Sequence, residues 1–429
     1  MTGAPTPAGP SRFSPSRRDL LRLMAFGSVA VGAAACGGRT GSGAGPTSTS
    51  PGGSANRPVV PGRTLVVVEL GGGNDGWSTV VPYESGRYRD LRPTLAIGGE
   101  DVVDWGDGWG VNRRLKGLVD RGLTAVSGVG TTVPDLSHFE MFDRWHQGEP
   151  DPVDARRPQA GPPTGFLGRL CDAAGNKDGL GGISLGWGDH PSLRSAVVPT
   201  AGLGVDSGSP LTRPPAVDTY RRLLDGFTSG TGPAELRPAV EATAGVAAIL
   251  DLVDSLPPVT GTYPDTDLGL QMALASRMVM GGQGIRVVHV PMGAATFDTH
   301  SKHAQTHGPL MDELDGALSA FHDDMARQGA GEQVLVCTVS EFGRRPQQNG
   351  DGLDHGTASS MLMIGPTVPG HHGDPSPVDR FDELGDLVAT VEFDRYFATM
   401  AEWLEVDPAR VLPARAGGVA TPIPGLLSV

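Results

Sequence analysis

The chain has 429 residues, of which 38% are hydrophobic, and its formal net charge is −14. That length allows one large or two medium domains with a sizeable core. The acidic balance excludes a general nucleic-acid binder, because no stripe of Lys and Arg is available to displace counterions from phosphates. No apolar run of about 20 residues occurs, so the sequence predicts no membrane span. With 64 Gly and 37 Pro, the composition indicates a loop-rich globular protein.

Residues 1–36 have the pattern of an export signal. Arg17 and Arg18 are adjacent, a weakly apolar stretch runs from Leu23 to Ala35, and small residues precede Cys36. These features are typical of a secretory signal, and the paired arginines indicate the twin-arginine route. We therefore expect an extracytoplasmic protein whose first partner is the twin-arginine export machinery. Cys36 follows three alanines, and the sequence leaves open whether it becomes a lipid anchor.

Three further segments are expected after the signal. Residues 37–62 are rich in Gly, Ser, Thr and Pro and predict a disordered tether without apolar periodicity. Residues 63–429 then form a single α/β domain. Within it, the stretch 189–235 is rich in Pro, Gly and Ser and indicates a surface insertion.

Apolar runs alternating with helical patterns predict the fold. An amphipathic helix pattern recurs from Leu310 to Met325, and further helices are expected at 236–255, 266–281 and Tyr396–Leu404. Strands that alternate with such helices favour an α/β/α sandwich with a largely parallel central sheet. The five predicted strands are Thr64–Leu70, Leu123–Val129, Ile285–Val290, Val334–Val339 and Met361–Ile364.

Chemically active residue types collect at the ends of all five predicted strands. Ligands of open α/β sheets bind beyond the carboxyl ends of the strands, so these residues are expected to converge there. In chain order they are Asp75, Ser137, Asp298 with His300, Glu341 with Arg344, and Asp354 with His355.

The gathered carboxylates predict a metal site. Asp75, Asp298, Glu341 and Asp354 would repel one another without a counter-charge, and their pKa values would rise. One or two divalent cations (zinc, manganese or calcium) resolve the repulsion, with carboxylate oxygens and the imidazoles of His300 and His355 as ligands. Each residue taken alone also has an ordinary interpretation, since Asp is common in turns and His near a helix start is often a cap.

Ser137 is the candidate nucleophile if the protein is a hydrolase, because a metal ion can lower the pKa of a hydroxyl group. The alternative is a helix N-cap, with Glu140 in the capping-box position. Arg344 could clamp an oxygen of a phosphate or sulfate group. It could equally be a solvated loop charge, like its neighbour Arg345.

Two motif matches are expected to be coincidental. Residues 71–76 satisfy the dinucleotide-binding pattern GxGxxG, but the following residues show no helical period. Residues 182–186 (GISLG) satisfy the nucleophile-elbow pattern GxSxG, but no helical pattern follows Ser184.

The same residues carry a family resemblance. The succession LVVVELGGGNDGWSTVVPY, SHFEM, FDTHS, VSEFGRR, LDHGTA and EFDRYFATMAEWL resembles the bacterial family called domain of unknown function 1501, from about Thr64 to Leu404. That family is similar to the alkaline phosphatase/sulfatase superfamily. The resemblance implies an α/β/α sandwich with metal ions at the carboxyl edge of its sheet.

The resemblance also implies roles for residues. Asp75 resembles the first-strand metal ligand, and Asp298, His300 and His355 resemble the ligands of one metal, with His303 as a rival to His300. Glu341 resembles a ligand of a second metal, but Phe342 stands where a histidine is expected. The implied function is an exported metal-dependent hydrolase of small anionic phosphate or sulfate esters. The alternative is a non-catalytic binding or assembly protein of the cell envelope.

Overall fold

The computed structural model describes residues 62–152, 164–175, 179–186, 188, 190–206, 249–375, 377–415 and 417–428. The predicted export signal, nearly all of the predicted tether and most of the predicted insertion lie outside these residues. So does the first part of the helix predicted at 236–255, of which 249–255 are helical. Among the described helices, none combines the length and apolarity needed to cross a membrane.

Fourteen strands are described, and nine of them form the central sheet. The strands are β1 Thr64–Glu69, β2 Val80–Val81, β3 Val102–Gly106, β4 Trp109–Asn112, β5 Thr124–Gly130, β6 Gly182–Leu185, β7 Thr200–Leu203, β8 Val287–Pro291, β9 Val334–Val339, β10 Gly343–Arg344, β11 His355–Gly356, β12 Ser359–Ile364, β13 Gly370–Gly373 and β14 Val391–Glu392. Strands β2, β4 and β3 form a small separate sheet, and β10 pairs with β11.

The central sheet has the strand order β13-β5-β12-β9-β1-β8-β6-β7, with β14 also pairing with β5. Every pair is parallel except the pairs of β12 with β5 and β9. The predicted run Met361–Ile364 therefore lies in an antiparallel strand. Because β12 runs in the opposite direction, its first residues lie at the edge where the neighbouring parallel strands end.

Helices cover both faces of the sheet. They are α1 Gly76–Thr79, α2 Gly86–Leu91, α3 Lys116–Val119, α4 His138–Gln147, α5 Phe166–Ala174, α6 Asp267–Met280, α7 His303–Arg327 and α8 Phe393–Trp403. Val66 and Val68 of β1 belong to the core formed with α6 and α7. Leu65 and Val67 point to the opposite face and belong to the core formed with α4, α5 and α8. The predicted α/β/α sandwich with a largely parallel sheet is confirmed.

Short 3-10 helices complete the described part of the chain: Gly99–Asp101, Arg113–Leu115, Pro191–Leu193, Gly331–Gln333 and Pro408–Arg410. Helix α6 begins after Thr266, whose side chain accepts a hydrogen bond from the amide of Gly269. This cap satisfies one of the free amides of the first turn and explains why the helix starts there.

Candidate metal centre

Three residues from separate segments converge at the carboxyl edge of the sheet. His138 is the first residue of α4, Asp298 lies between β8 and α7, and His355 is the first residue of β11. One donor atom from each lies within 4.8 Å of the others, and all three residues are partly exposed. His300 adjoins them, with its Nε2 atom 2.9 Å from Nε2 of His355 and 3.1 Å from Oδ1 of Asp298. We call these four residues the edge site.

The hydrogen bonds of the three imidazole rings direct their Nε2 atoms into the edge site. Nδ1 of His355 donates to the carbonyl oxygen of Leu136 at 2.7 Å. Nδ1 of His138 lies 2.7 Å from a carboxylate oxygen of Glu341, and Nδ1 of His300 lies 3.0 Å from one of Asp354. A neutral ring that donates from Nδ1 has its lone pair on Nε2.

If both rings are neutral and donate from Nδ1, the lone pairs of His300 and His355 face each other across 2.9 Å. Such a contact is repulsive unless a proton or a metal ion lies between the rings. Burial is the main cause that lowers the pKa of His355 below its ordinary value, which disfavours the proton. Nε2 of His138 is buried and has no hydrogen-bond partner among the described residues, and it lies 3.6 Å from Oδ2 of Asp298.

Asp298 supplies the negative charge of the edge site. Its Oδ1 atom accepts a hydrogen bond from Nη2 of Arg344 at 2.7 Å and lies 3.2 Å from Nε2 of His355. Burial alone would raise the pKa of Asp298, but the hydrogen bond and the charge of Arg344 outweigh burial. The pKa is therefore lower than its ordinary value, and the carboxylate is ionised. One carboxylate and up to three imidazole nitrogens form a donor set suited to zinc or another divalent first-row metal.

Two predicted metal ligands orient the rings of the edge site. Glu341 is buried, and its Oε1 atom accepts from the amide of Gly72 at 2.9 Å as well as contacting His138. Asp354 contacts His300 and accepts from the side-chain amide of Asn349 at 3.2 Å. Both carboxylates hold a ligand ring from behind, which is the usual arrangement around protein metal ions.

Asp75 was predicted as a metal ligand, but the structure pairs it with an arginine. Its two oxygens accept hydrogen bonds from Nη1 and Nη2 of Arg92 at 2.5 and 2.9 Å, and both side chains are fully buried. Burial would raise the pKa of Asp75, yet the charge of Arg92 keeps it well below its usual range. His303, the rival ligand, lies 3.4 Å from Asp75 and bonds to Ser78 and Thr299. The guanidinium supplies the counter-charge that the metal was expected to supply.

Arg344 was predicted to clamp a substrate oxygen, but its guanidinium is occupied within the fold. The side chain is fully buried, and it donates to the carbonyl oxygens of Gly72, Gly73, Phe297 and Leu353 as well as to Asp298. An arginine that is fully buried and bonded to these partners holds three loops together and does not reach out to a substrate. Its described role is to position Asp298.

Ser137 is the exposed residue immediately before α4, at the N-cap position. Its side chain makes no capping hydrogen bond, so the capping box expected with Glu140 does not form; Glu140 pairs with Arg144 instead. On either side of Ser137, the carbonyl oxygen of Leu136 accepts a hydrogen bond from His355, and His138 belongs to the edge site. Ser137 thus places an exposed hydroxyl group, which caps no helix amide, next to the edge site.

His138 was not predicted from the sequence as a site residue. Its ring packs against that of Phe342. The buried ring of Phe342 packs against both imidazole rings, with centroid distances of 4.8 Å to His138 and 4.7 Å to His355, and these two rings are 4.4 Å apart. The only local signal for His138 was its position next to Ser137 at a helix start. That signal is also typical of an ordinary helix beginning.

The two motifs expected to be coincidental have no supporting context. The glycines after β1 lead into α1, which has four residues, and not into a long helix. Ser184 lies within β6, is fully buried and contacts Nδ1 of His289. A nucleophile elbow requires an exposed serine at a strand-to-helix turn.

The chain is therefore an α/β/α sandwich with groups of metal-ligating side chains at and near the carboxyl edge of its parallel strands. The family model described as "Protein of unknown function (DUF1501)" matches residues 245–419, which confirms the predicted family resemblance over that part of the chain. No curated protein matches the chain.

Three solved structures that resemble the chain have low sequence identity. The alkaline phosphatase from the Antarctic bacterium TAB5 is 9% identical with a TM-score of 0.36, covering 81% of this chain and 100% of that one. The phosphonate monoester hydrolase from Silicibacter pomeroyi is 9% identical with a TM-score of 0.39, covering 84% and 75%. A sulfatase from Pseudoalteromonas sp. is 11% identical with a TM-score of 0.36, covering 80% and 68%.

Proposed function

We propose that this protein is an exported, metal-dependent hydrolase of phosphate or sulfate esters, with its metal ion in the edge site. The observation that carries the proposal is the pair of Nε2 atoms of His300 and His355, which lie 2.9 Å apart beside the carboxylate of Asp298. The orphaned Nε2 atom of His138 completes a donor set that fits a divalent cation. The ester class follows from the family resemblance of the sequence.

The residues of the chain have distinct tasks in this proposal. Asp298, His138, His300 and His355 hold the cation, which would polarise an ester oxygen and stabilise its developing charge. Ser137 supplies the hydroxyl that attacks phosphorus or sulfur while the ester bond breaks and the alcohol leaves with the hydroxyl proton, and water then hydrolyses the seryl ester. Arg344 keeps Asp298 in place. The partial exposure of the edge site favours a centre that admits a small anionic substrate.

A second candidate function is a non-catalytic binding or assembly protein of the cell envelope. Phe342 favours it, because a buried phenyl ring packs against His138 and His355 at the position where the resemblance implies a further ligand. A centre with one metal ion lacks the two-metal clamp of many phosphatases. The edge site would then bind a cation or an anionic partner without turnover.

Export belongs to the same proposal. The paired arginines of residues 1–36 support delivery by the twin-arginine machinery, and Cys36 is the residue that would carry a lipid anchor. Cell fractionation combined with palmitate labelling, comparing the wild type with Cys36→Ser, tests the anchor. Label that persists in Cys36→Ser would contradict it.

Turnover separates the two candidate functions. We expect the zinc- or manganese-loaded full-length protein to hydrolyse members of a panel of aryl phosphates and sulfates, and Ser137→Ala to lose at least about 100-fold in kcat/KM. The matched control is Ser85→Ala, which removes the N-cap hydroxyl of α2. If the metal-loaded protein hydrolyses none of these esters, the result would favour the second candidate function, a non-catalytic binding or assembly protein. Full activity in Ser137→Ala would remove Ser137 as the nucleophile.

A further inference from the structure

A second cluster of metal-ligating side chains lies on the face of the sheet covered by α4 and α5. Glu69, His146 and His190 place one donor atom each within 4.8 Å of the others. Glu69 is the last residue of β1, His146 lies in the last turn of α4, and His190 precedes the 3-10 helix Pro191–Leu193. We call these three residues the inner site. Their side chains are only 8%, 13% and 2% exposed, so the cluster is not a set of solvated surface charges.

The spacing of the donor atoms matches a small metal ion. Oε2 of Glu69 lies 3.1 Å from Nε2 of His146 and 3.6 Å from Nε2 of His190. In a tetrahedral zinc site with bonds of about 2.0–2.1 Å, ligand atoms lie about 3.3–3.4 Å apart. The observed distances bracket that value, so an ion fits between these side chains with little rearrangement.

Hydrogen bonding alone does not account for the contacts of Glu69. Nε2 of His289 lies 3.3 Å from the same oxygen, so three ring nitrogens face one carboxylate oxygen. The contacts of His146 and His289 are within hydrogen-bond distance and fill the two lone pairs of that oxygen, whereas Nε2 of His190 lies 3.6 Å away, beyond that distance. A cation between Glu69, His146 and His190 would accept the lone pairs of both rings. It leaves His289 as the ring that donates to Glu69.

The surroundings hold the rings in the orientation that a metal requires. Nδ1 of His190 lies 2.7 Å from Oγ of Ser192, which directs Nε2 toward Glu69. A cavity of about 20 Å³ is lined in part by Glu69, His146 and Ser192. That volume has room for a single ion or water molecule.

We propose that the inner site binds one Zn²⁺ through the carboxylate of Glu69 and the Nε2 atoms of His146 and His190. Nitrogen and oxygen donors in a small buried site suit this ion. His289 and Ser192 are positioning residues that hold Glu69 and His190 from behind. The ion joins β1, the end of α4 and the segment that follows β6.

The inner site is separate from the edge site. His138 and His146 both lie in α4, at its first residue and in its last turn, which corresponds to about 12 Å along the helix axis. Paired catalytic metal ions lie only about 3.5–4 Å apart. The inner ion is therefore not part of a paired centre with the edge site, and its binding does not depend on whether the edge site catalyses hydrolysis.

Zinc binding is tested in the full-length chain carrying Asp298→Ala and His355→Ala, which removes the edge site. After metal removal with a chelator, zinc is titrated against a chromophoric competitor, and cobalt is added to a parallel sample. We expect one zinc per chain and a cobalt absorption spectrum typical of low coordination number. Glu69→Gln and His190→Gln in this background should each weaken zinc binding at least about 100-fold. The positioning variant Ser192→Ala should weaken it about 10- to 100-fold.

His303→Gln is the matched control, because His303 is also a buried histidine that contacts a carboxylate and a serine but belongs to neither site. We expect it to retain the full zinc content and affinity of the background. Circular dichroism checks that each variant is folded. If Glu69→Gln does not fold, the zinc affinity of Ser192→Ala tests the proposal in its place. A folded background protein that takes up no zinc would overturn the proposal. So would unchanged affinity in Ser192→Ala and His190→Gln.

Discussion

The carboxylate of Asp75 and the guanidinium of Arg92 form a doubly hydrogen-bonded ion pair in which both side chains are fully buried. Arg92 also donates to the carbonyl oxygens of Arg345 and Pro346. The pair therefore joins the loop after β1 to the chain that follows β10. Its described role is to hold the base of the edge site together, and not to bind a metal ion.

Removing the charge of Asp75 should destabilise the fold without emptying the edge site. Breaking a buried ion pair from one side leaves an uncompensated charge and costs about 3–5 kcal/mol. We expect Asp75→Asn to lower the free energy of unfolding by an amount in that range, measured by urea denaturation. The matched control is Lys116→Met, which breaks the exposed pair with Asp120 and should cost less than about 1 kcal/mol. Loss of metal from folded Asp75→Asn, with little change in stability, would restore Asp75 as a ligand.

Much of the fold could be predicted from local sequence. An apolar run such as that of β9 indicates a strand buried on both faces of a sheet, whichever strands are its neighbours. The direction of β12 could not be predicted in this way. Parallel and antiparallel central strands have the same apolar composition, and the direction depends on pairing with β5 and β9. Asp354 and His355, which precede β12, nonetheless lie at the expected edge, because the reversal brings the start of β12 there.

The candidate site was less predictable than the fold. Asp298, His300 and His355 could be grouped because each adjoins a strand end, and the structure brings their donor atoms together. Asp75 adjoins a strand end too, but a buried guanidinium neutralises it. The sequence around Arg92 has no local feature that indicates this partner. The choice between a metal ion and an arginine as counter-charge is made by tertiary contacts.

Gly72 should be intolerant of a side chain, and the effect should reach the edge site. Its φ is +110°, and a Cβ atom added there would lie 2.5 Å from the backbone nitrogen of Asp298. We expect Gly72→Ala to lower the free energy of unfolding by at least about 1–3 kcal/mol and to weaken metal binding, because the loop carrying Asp298 must move. The control is Gly86→Ala in α2, where a Cβ atom meets nothing within 4 Å. That change should stabilise the helix by about 0.5–1 kcal/mol. Equal stability in the two variants would contradict this packing.

His307 should make the fold sensitive to mild acid. Burial, followed by the charge of His303, lowers the pKa of His307 to about 3, against about 6.5 in an unfolded chain. Between these values the unfolded state binds a proton that the folded state does not bind. The contribution of His307 is therefore fully present above about pH 6.5 and is lost as the pH falls toward 3, by up to about 1.4 kcal/mol per pH unit.

Urea denaturation of the wild type and His307→Gln between pH 8 and pH 4.5 measures this contribution. Glutamine does not titrate, and its amide can still donate to Oδ1 of Asn74, as Nε2 of His307 does at 3.0 Å. We expect a shallower fall in stability for the variant below about pH 6.5. The two proteins should have parallel profiles above pH 7, which serves as the internal control. Identical slopes below pH 6 would show that His307 is not held neutral by the fold.

Export should depend on the arginine pair and not on positive charge alone. Lysine keeps the positive charge, but the twin-arginine machinery recognises the arginine pair itself. We expect the double variant Arg17→Lys, Arg18→Lys to remain in the cytoplasmic fraction, as measured by fractionation and immunoblotting. Arg12→Lys, a substitution outside the pair, is the control and should be exported normally. Normal export of the double variant would exclude this route.

The metal content of the full-length chain tests the edge site most directly. Inductively coupled plasma mass spectrometry is applied to the wild type, Asp298→Ala and Asp75→Asn after incubation with zinc or manganese and removal of the excess. We predict that Asp298→Ala holds one metal ion per chain fewer than the wild type, whereas folded Asp75→Asn holds the same number as the wild type. Equal metal content in the wild type and Asp298→Ala would contradict a metal ion at the edge site, and with it the proposed hydrolase.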